Sequence, residues 1–505
     1  MAGVIERVLK KFGYIRPPER NGAGRNYASA QMSRLTSSWG TRPTSMNQDL
    51  YRDRRILVAR SRILKRDNEY AKQFVAMVKA NVVGPNGLSL QVQALRDDGT
   101  LDEFDSTALE NAFADFSKIG NFEVTGKLSR CDFEQLWVET LATDGETLVR
   151  RIQKRGAYNY QLQMLDPLLI DDSYNVDLAG DVKIRMGVEI NGWGQVLAIH
   201  MLPNNANDIH GSGVASWGGA PRVRIPAAEI WHDFICEQTG QLRGAPWMAT
   251  PALTMNMLGG YEEAALVAAR TGAANVGFFK QNEYAPDKPS EAMADGKDGN
   301  DDFVVDAEPG TFRTLPLGLE LQNFNPDYPH AMFGSFVKQC LRRVSAGLPG
   351  STYTALSGDM ESVNYSSARI DLLRERETWK RLQNFMIERL AARVYSEWLP
   401  FALLSGKALS AKGQPLPFSK LKKFDAALWQ GVRWPWVDPQ KEVGAQIEAI
   451  NNGLTSRGRV IREQGGDPEE IWRELEKENA RLKNILPPPP PAKPGSGIPP
   501  GEPNA

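Results

Sequence analysis

The chain has 505 residues, of which 41% are hydrophobic and 24% charged, the composition of an ordinary globular protein with room for several domains. Its 60 Lys and Arg nearly balance its 61 Asp and Glu, so the formal charge of −1 excludes a globally basic nucleic-acid-binding protein. Residues 1–70 nevertheless hold fifteen Lys and Arg against six Asp and Glu, net +9, and the remainder carries −10. We expect a basic arm and an acidic body that meet different partners.

Cysteine usage argues against a disulfide framework and against a metal site. Cys131, Cys236 and Cys340 lie far apart, and no histidine stands at zinc-ligand spacing from them. This is typical of a protein in a reducing cytosolic compartment, and we expect no cofactor and no metal. No apolar run approaches the roughly 18–20 residues of a membrane span. Charges such as Glu6 and Lys10 also interrupt the first 16 residues, so neither a membrane protein nor a signal peptide is predicted.

The N-terminal part of the chain is predicted to be a loose basic arm followed by a long helix. In residues 1–48 a short amphipathic helix gives way to a Gly/Ser/Asn/Arg-rich stretch. This stretch is either an arm that docks on a partner or membrane surface, or a solvated terminus. Over residues 49–80 apolar positions recur at three, four and seven, with basic residues on the other faces, which predicts one helix. A Gly-Pro-Asn-Gly turn at 84–87 ends it, and alternation at 88–93 predicts a strand.

The middle of the chain changes from helical to β-rich patterns. Helices are predicted within residues 104–145, and residues 146–235 form a β-rich block. Alternation at 161–164 predicts one strand, and alternation at 184–190 predicts another that ends in an Asn-Gly turn. The Gly-rich stretch at 211–219 is predicted to be an exposed loop.

The second half is mostly helical. We predict helices at 253–279, 329–347 and 365–398, the last about 50 Å long at 1.5 Å per residue. Residues 281–326 are rich in Pro, Gly and Asp, with short strands predicted at 303–305 and 312–315, and 348–362 is a flexible, hydroxyl-rich loop. Asp467 followed by Pro468 and two glutamates predicts a helix start, and the five-proline run after Leu486 predicts an extended tail.

Six tryptophans are expected to be core or interface anchors: Trp247, Trp379, Trp398, Trp429, Trp434 and Trp436.

No catalytic constellation stands out. No Gly-Lys pair has the following Ser or Thr and the upstream Gly of a phosphate-binding P-loop. The His-Gly-Ser-Gly sequence at 210–213 lacks the second spacing of a nucleophile elbow. The aspartates within 295–306 miss the register of a calcium loop. Asp144 and Glu146 could hold a metal, but two nearby carboxylates are a weak signal. These patterns favour a structural or binding protein over an enzyme.

Several segments, taken together and in order, resemble the lambda-type family of tailed-phage portal proteins. The resemblance covers residues 50–475, about four-fifths of the chain. It is carried by residues 81–91 after the basic helix, 144–150 (beginning Asp144-Gly145-Glu146), 165–167 (Leu-Asp-Pro), 225–232, 240–247 (Gly-Gln-Leu-Arg-Gly-Ala-Pro-Trp), 364–369 (Asn-Tyr-Ser-Ser-Ala-Arg), 436–442 (beginning Trp-Val-Asp-Pro) and 453–457.

The resemblance implies an α+β portal fold with a defined regional order. Carried over by position, the regions are a basic flexible arm at 1–48, a wing at 49–250, a first stem helix at 251–280, a clip at 281–326, a second stem helix at 327–347, a tunnel loop at 348–363, a long helix with the remainder of the wing at 364–437, a crown at 438–486 and a disordered Pro/Gly tail at 487–505.

The resemblance also implies a function and a set of partners. Such subunits form a homo-oligomeric ring, usually a dodecamer, at one capsid vertex of the virion, around a channel through which double-stranded DNA is packaged and ejected. The expected partners are the terminase large subunit, the major capsid protein and a head-completion or neck protein, with no membrane. Assembly would take place in the host cytoplasm.

The predicted tunnel loop is poor in cations. Residues 344–368 contain no Lys or Arg, and the only charges are Asp359 and Glu361. Each neutralised phosphate adds affinity, so a conduit should avoid cations, and we expect this loop to guide DNA sterically. Arg369 would anchor the loop, touch phosphate, or form an intersubunit or intrahelical ion pair with a neighbour such as Glu375. The hydroxyl residues expected to face the channel are Ser351, Thr352, Tyr353, Thr354 and Ser357.

The predicted clip is acidic, and two rival functions stay open. Residues 281–308 hold nine Asp and Glu against two Lys, so Asp295, Asp298, Asp301 and Asp302 are expected to dock a basic motor face, or else to form a solubilising loop. One rival is a hydrolase or nuclease acting on DNA or protein during virion assembly, centred on 210–213 or on Asp144 and Glu146. The other is a monomeric nucleic-acid-binding protein that uses its basic arm.

Overall fold

The computed structural model describes most of the chain as a mixture of helices and antiparallel sheets. The residues described are 34, 40–41, 43–203, 222–273, 277–281, 319–323, 332–361, 363–410, 412–434 and 439–482. The fold below is that of the unit Asp49–Ala505. This mixture agrees with the predicted α+β class. The predicted arm helix, the loop at 211–219, the strands at 303–305 and 312–315, and the proline run lie outside the described residues.

The helices and strands are numbered in chain order. The helices are α1 (Met46–Asp67), α2 (Glu69–Val82), α3 (Glu103–Phe116), α4 (Arg130–Asp144), α5 (Ala252–Ala273), α6 (Phe333–Ala346), α7 (Tyr353–Ser357), α8 (Tyr365–Met386), α9 (Ala392–Leu404), α10 (Leu421–Phe424), α11 (Pro439–Asn451), α12 (Arg457–Glu463) and α13 (Pro468–Leu482). The strands are β1 (Ser89–Val92), β2 (Glu146–Gln153), β3 (Tyr160–Leu165), β4 (Val176–Asp177), β5 (Lys183–Arg185), β6 (Val188–Ile190), β7 (Val196–Met201), β8 (Val223–Pro226), β9 (Ile230–Phe234), β10 (Gly277–Gln281), β11 (Leu319–Asn323) and β12 (Ala427–Gln430).

The helix predicted over residues 49–80 is two helices, so the prediction of one helix is wrong. Asn68 separates α1 from α2 in an extended conformation (φ −117°, ψ 125°), and its side chain accepts a hydrogen bond from the backbone N–H of Ala71. A short amide side chain that satisfies the backbone in this way favours a helix start over a helix interior. The apolar periodicity continues across the break, which is why the pattern alone did not reveal it.

The predicted β-rich block is confirmed and contains two antiparallel sheets. One sheet has three strands in the order β3-β2-β9, and the other has five in the order β4-β5-β6-β7-β8. The single strand predicted at 184–190 is instead a hairpin, because Met186 (φ 49°) and Gly187 (φ 76°) turn the chain between β5 and β6. Gly187 is required there, since a Cβ would lie 2.8 Å from the carbonyl oxygen of Asp171.

The helix predicted at 253–279 is too long. Helix α5 ends at Ala273, and the chain then forms β10, which pairs antiparallel with β11. This pairing joins residues about forty positions apart, and such a contact is invisible to local periodicity. The predicted helix at 329–347 is confirmed as α6.

The predicted loop and long helix around residues 348–398 are confirmed in outline and corrected in detail. The loop contains one short helix, α7, capped at its start by Thr352. Helix α8 starts at the Asn364 cap and continues through a π-turn at Ile387–Ala391 into α9, so the helical run reaches Leu404. The predicted start of α13 is also confirmed, with Asp467 accepting a hydrogen bond from the Glu469 N–H (3.0 Å).

The main core is aromatic and joins α2, α3 and α4 to the long α8–α9 run. Trp137, Trp379 and Trp398 are almost completely buried, and the Phe113 ring lies 5.1 Å from that of Trp398, edge to face. The predicted role of the tryptophans as anchors is confirmed for Trp247, Trp379, Trp398 and Trp429, which are buried, while Trp434 is half-buried and Trp436 lies outside the described residues. None of the helices described is long and apolar enough to cross a membrane.

Candidate functional site

The predicted tunnel loop leaves α6 and rests on α8, and its base is held by a buried carboxylate. The Thr352 backbone N–H donates to Glu375 Oε1 at 3.0 Å, and the Thr352 hydroxyl donates to the same oxygen. Burial raises the pKa of Glu375, and the two hydrogen bonds from Thr352 oppose that rise. Gly350 (φ 68°) packs so closely on Trp379 that a Cβ would lie 2.9 Å from the indole ring. The start of the loop is therefore fixed to the long helix.

The hydroxyl groups predicted to face DNA are mostly engaged within the loop itself. Ser357 Oγ donates to the Tyr353 carbonyl oxygen at 2.7 Å, and the Thr352 and Thr354 hydroxyl oxygens lie 3.0 Å apart. Ser351 makes a long 3.5 Å contact to the Thr352 carbonyl oxygen. These residues are half-buried, so the loop presents fewer free hydroxyls than its sequence indicates.

The carboxylates of the loop are paired with a lysine, which the sequence pattern did not reveal. Lys338 Nζ, on α6, lies 3.1 Å from Asp359 Oδ2 and 2.9 Å from Glu361 Oε2. The Tyr353 hydroxyl donates to Asp359 Oδ2 at 2.6 Å. Hydrogen bonds from Tyr353, from the Glu361 backbone N–H and from Lys338 lower the pKa of Asp359 to about 2. The two carboxylates are therefore compensated by a cation on the preceding helix, outside the residues 344–368 that contain no Lys or Arg.

Arg369 is placed by a contact between helices. Its Nη2 lies 3.6 Å from Glu442 Oε1 on α11, and the pairing with Glu375 that the sequence left open is not formed, since the two residues are six positions apart on α8 and point to different faces of the helix. Arg369 therefore connects α8 to α11. The predicted docking residues Asp295, Asp298, Asp301 and Asp302 lie outside the described residues, as does the sequence at 210–213.

A buried ion cluster is the strongest electrostatic feature of the described residues, and sequence reasoning missed it. Glu146 Oε1 lies 2.6 Å from Arg54 Nη2 and 2.6 Å from Arg243 Nη2, while Glu146 Oε2 lies 3.0 Å from His232 Nε2. Asp172 also pairs with both arginines. Burial alone would raise the pKa of Glu146, but Arg243, Arg54 and His232 together hold it well below its usual value.

The cluster brings together segments that carried the family resemblance. Glu146, His232 and Arg243 come from residues 144–150, 225–232 and 240–247, and all three meet beside the basic helix α1. At the same place Gly145 (φ 83°) approaches another backbone segment so closely that a Cβ would lie 2.1 Å from the Ala245 carbonyl carbon. The sequence did contain a signal, because each of these motifs carries a charged residue or His together with residues of the family resemblance. It did not show which of these residues pair with one another.

These contacts leave the rival catalytic centre at Asp144 and Glu146 without a free carboxylate. Both oxygens of Asp144 accept from Arg62, at 2.9 and 2.6 Å, whereas Glu146 is enclosed by Arg54, Arg243 and His232. The two carboxylates therefore serve different ion pairs and do not converge on one metal position. Within the part of the chain that the structure describes, no group of three or more His, Cys, Asp or Glu side chains could hold a metal ion.

Comparison with known proteins gives consistent results. The family described as "Phage portal protein, lambda family" matches residues 32–383. A probable portal protein of Halomonas phage phiHAP-1 is 30% identical over 464 residues, covering 91% of this chain and 87% of that protein. The portal protein of Escherichia phage N15 is 24% identical over 357 residues, covering 66% and 65%.

Solved structures show a distant likeness. A chain from the neck of a native gene transfer agent particle, determined with C12 symmetry, aligns with a TM-score of 0.42 at 10% identity, covering 83% of this chain and 94% of its own. The resemblance read from the sequence is confirmed by the family match and the phage relatives together. The chain belongs to the lambda family of phage portal proteins, whose members are structural and not catalytic components of the phage head.

Proposed function

We propose that copies of this chain form a closed ring of twelve at one vertex of the capsid, and that double-stranded DNA enters and leaves through its channel. The observation that supports this most strongly is the lambda-family match over residues 32–383, extended by a phage relative similar over 91% of the chain. Family membership also supports a place in the virion, reached after assembly in the host cytoplasm.

The regional map is part of the same proposal. Both larger sheets would belong to a wing at 49–250, α5 and α6 would be the two stem helices, and residues 281–326 would be the clip between them. Residues 348–363 would face the channel, the α8–α9 run would lie behind them, and α11 to α13 would build the crown. Asp295, Asp298, Asp301 and Asp302 of the clip would meet the terminase large subunit and later a neck protein, while the wing would meet the major capsid protein.

The chemistry of the loop suits a conduit. Residues 344–368 contain no Lys or Arg, and Asp359 and Glu361 are paired with Lys338, so the surface would neither bind phosphates strongly nor repel them strongly. A ring multiplies every cationic contact by its copy number, and each such contact raises DNA affinity. A nearly neutral lining therefore lets the duplex move.

Oligomeric state tests the ring. The purified full-length chain is expected to give a mass of twelve subunits by native mass spectrometry and closed rings with a central hole in negative-stain images. A chain that stays a single subunit at every concentration and salt tried would contradict the proposal.

Photo-crosslinking tests the position of the loop. A crosslinker attached at Ser357→Cys is expected to capture DNA when packaging is stalled part-way, because Ser357 would face the channel. The matched control is Thr107→Cys on the exposed face of α3, which should capture none. Equal capture of DNA at both positions, or no capture at Ser357→Cys, would contradict the placement of the loop at the channel.

A further inference from the structure

The loop segment 348–361 is held at two places that differ in burial. The inner attachment joins Thr352 to Glu375, which is 9% exposed, and packs Gly350 on Trp379. The outer attachment joins Asp359 and Glu361 to Lys338, whose side chain is 37% exposed. Exposed ion pairs contribute roughly 0–1 kcal/mol and are weakened by salt, whereas buried contacts are not. The outer attachment is therefore the one that can open by itself.

The groups around the outer attachment are few and face one another directly. On α6, Lys338 approaches both carboxylates, and the Arg342 guanidinium lies 5.3 Å from the Tyr353 ring centroid. On the loop, the Tyr353 hydroxyl donates to Asp359. Opening the outer attachment breaks the two contacts of Lys338 and the hydrogen bond from Tyr353 to Asp359, and it leaves the Arg342 guanidinium over the Tyr353 ring.

A pivot lies between the two attachments. Gly358 ends α7 in the left-handed conformation (φ 71°), and its N–H donates to the Thr354 carbonyl oxygen at 2.9 Å. A Cβ at Gly358 would meet nothing within 4 Å, so no other element packs against this glycine, the first of residues 358–361. These residues can leave Lys338 while α7 stays on the long helix.

We propose that residues 358–361 are a releasable cover over Lys338, and that the phosphates of a nucleic-acid duplex open it. When the cover is closed, two carboxylates neutralise the ammonium group of Lys338. A phosphate oxygen is an anionic acceptor like a carboxylate oxygen and competes for the same ammonium. The loop would thus free one cation per subunit only while a phosphate is beside it, and the two carboxylates neutralise that cation again once the phosphate has passed, so no lasting contact holds the duplex. The opening of the cover by phosphate is the second step of the proposal, after the ionic closure itself. It rests on the proposed function, because it needs the loop to lie at the channel.

Amide hydrogen exchange on the purified full-length assembly tests the cover without DNA. Lys338→Met is expected to raise exchange in peptides spanning 358–363 about fivefold, as loss of a surface ion-pair network would. Raising salt from about 0.05 to about 0.5 M should do the same to the wild type and little to the variant. The matched control is Lys380→Met, which removes another exposed lysine paired on α8 and should leave these peptides unchanged. Unchanged exchange in Lys338→Met would overturn the cover.

A charge swap excludes a trivial packing effect. Lys338→Glu should open the segment, and adding Glu361→Lys should slow its exchange part of the way back, because the swapped pair attracts while Asp359 still repels the new carboxylate. If the double variant exchanges as fast as the single one, the attachment is not ionic and the proposal fails.

A short duplex, added at constant ionic strength, tests the second step. It should raise exchange of residues 358–363 in the wild type and have no further effect on Lys338→Met. If salt and Lys338→Met open the segment but the duplex does not, phosphate release is overturned while the ionic cover stands, and the channel position of the loop is decided separately by the Ser357→Cys crosslink. If the ring forms and Ser357→Cys captures DNA but Lys338→Met changes nothing, the proposed function stands and the cover is overturned.

Discussion

Arg243 is completely buried and satisfies two carboxylates, so its removal should be costly. It contacts Glu146 and Asp172, and both acids remain buried when the guanidinium is gone. We expect Arg243→Ala to lower the free energy of unfolding by about 3–5 kcal/mol, measured by urea denaturation, because two buried carboxylates lose a cationic partner at once and keep only Arg54 and His232 near Glu146. The control is Arg473→Ala, which breaks an exposed pair with Glu103 and should cost less than about 1 kcal/mol. Similar losses in both variants would contradict a structural role for the cluster.

Gly145 shows that a single Cβ can be excluded by backbone alone. In Gly145→Ala the new methyl group would meet the Ala245 backbone at 2.1 Å, in addition to the positive φ of 83°. We expect a loss of more than about 3 kcal/mol of unfolding free energy, or no soluble protein. Gly194→Ala has a similar φ of 79° with nothing within 4 Å, and should cost only about 1 kcal/mol. A loss in Gly145→Ala no larger than in this control would show that the backbone moves aside.

Individual residues were the least predictable part of this protein. The motif residues Asp144, Glu146 and Arg243 were identified from the sequence, but the two acids were weighed as a metal site and their arginine partners were not foreseen. The contact between Arg243 and Glu146 spans 97 positions, and a chain-order pattern carries no information about such a distance. The pairing of Lys338 with the loop was missed for the same reason.

At the scale of elements, one carboxylate ties three strands of the five-stranded sheet together. Glu189 on β6 accepts from Arg224 on β8, at 2.7 Å through both oxygens, and from His200 on β7 at 2.9 Å. The hydrogen bonds from Arg224, followed by that from His200 and opposed by burial, lower the pKa of Glu189 to about 2. The contribution of Glu189 to the stability of the sheet should therefore depend on pH.

The sign of that dependence follows from the lowered pKa. The stabilisation is fully present above the ordinary value of 4.5 and is lost as the pH falls toward about 2. We expect Glu189→Gln to lose about 1 kcal/mol of unfolding free energy at about pH 6, and the difference from the wild type to shrink toward about pH 3. Glu263→Gln, at an exposed position of α5, is the control and should show no such trend. A difference that grows on acidification would contradict the assignment.

Element types were predicted well, and element boundaries were not. Apolar periodicity revealed the helices and the β-rich block because the residues that are buried on one face recur at regular spacing along the chain. The break at Asn68, the turn at Gly187 and the end of α5 depend instead on a capping side chain, a close backbone approach and a distant strand. None of these changes the apolar pattern, so local reasoning extended the elements through them.

At the scale of the whole assembly, the proposal is that a lining poor in cations lets DNA slide. Introducing Ser351→Lys with Ser357→Lys should slow DNA translocation in a packaging assay at low salt, because each added cation in each subunit would bind phosphate. Added salt should restore part of the rate. The same two charges placed at Thr107 and Asn111, on the exposed face of α3, are the control and should leave the rate unchanged. An unaltered rate in the loop variant would count against a channel-lining loop.

The sequence by itself determined the class of fold, the main helices, the family and the shortage of cations in the loop, because composition, periodicity and motif order are properties of the chain. Tertiary structure alone decided which charges meet. It enclosed Glu146 between Arg54 and Arg243, and it placed Lys338 against Asp359 and Glu361. Charges act over a few ångströms and their energy depends on burial, so their partners are chosen by folding and not by spacing along the chain.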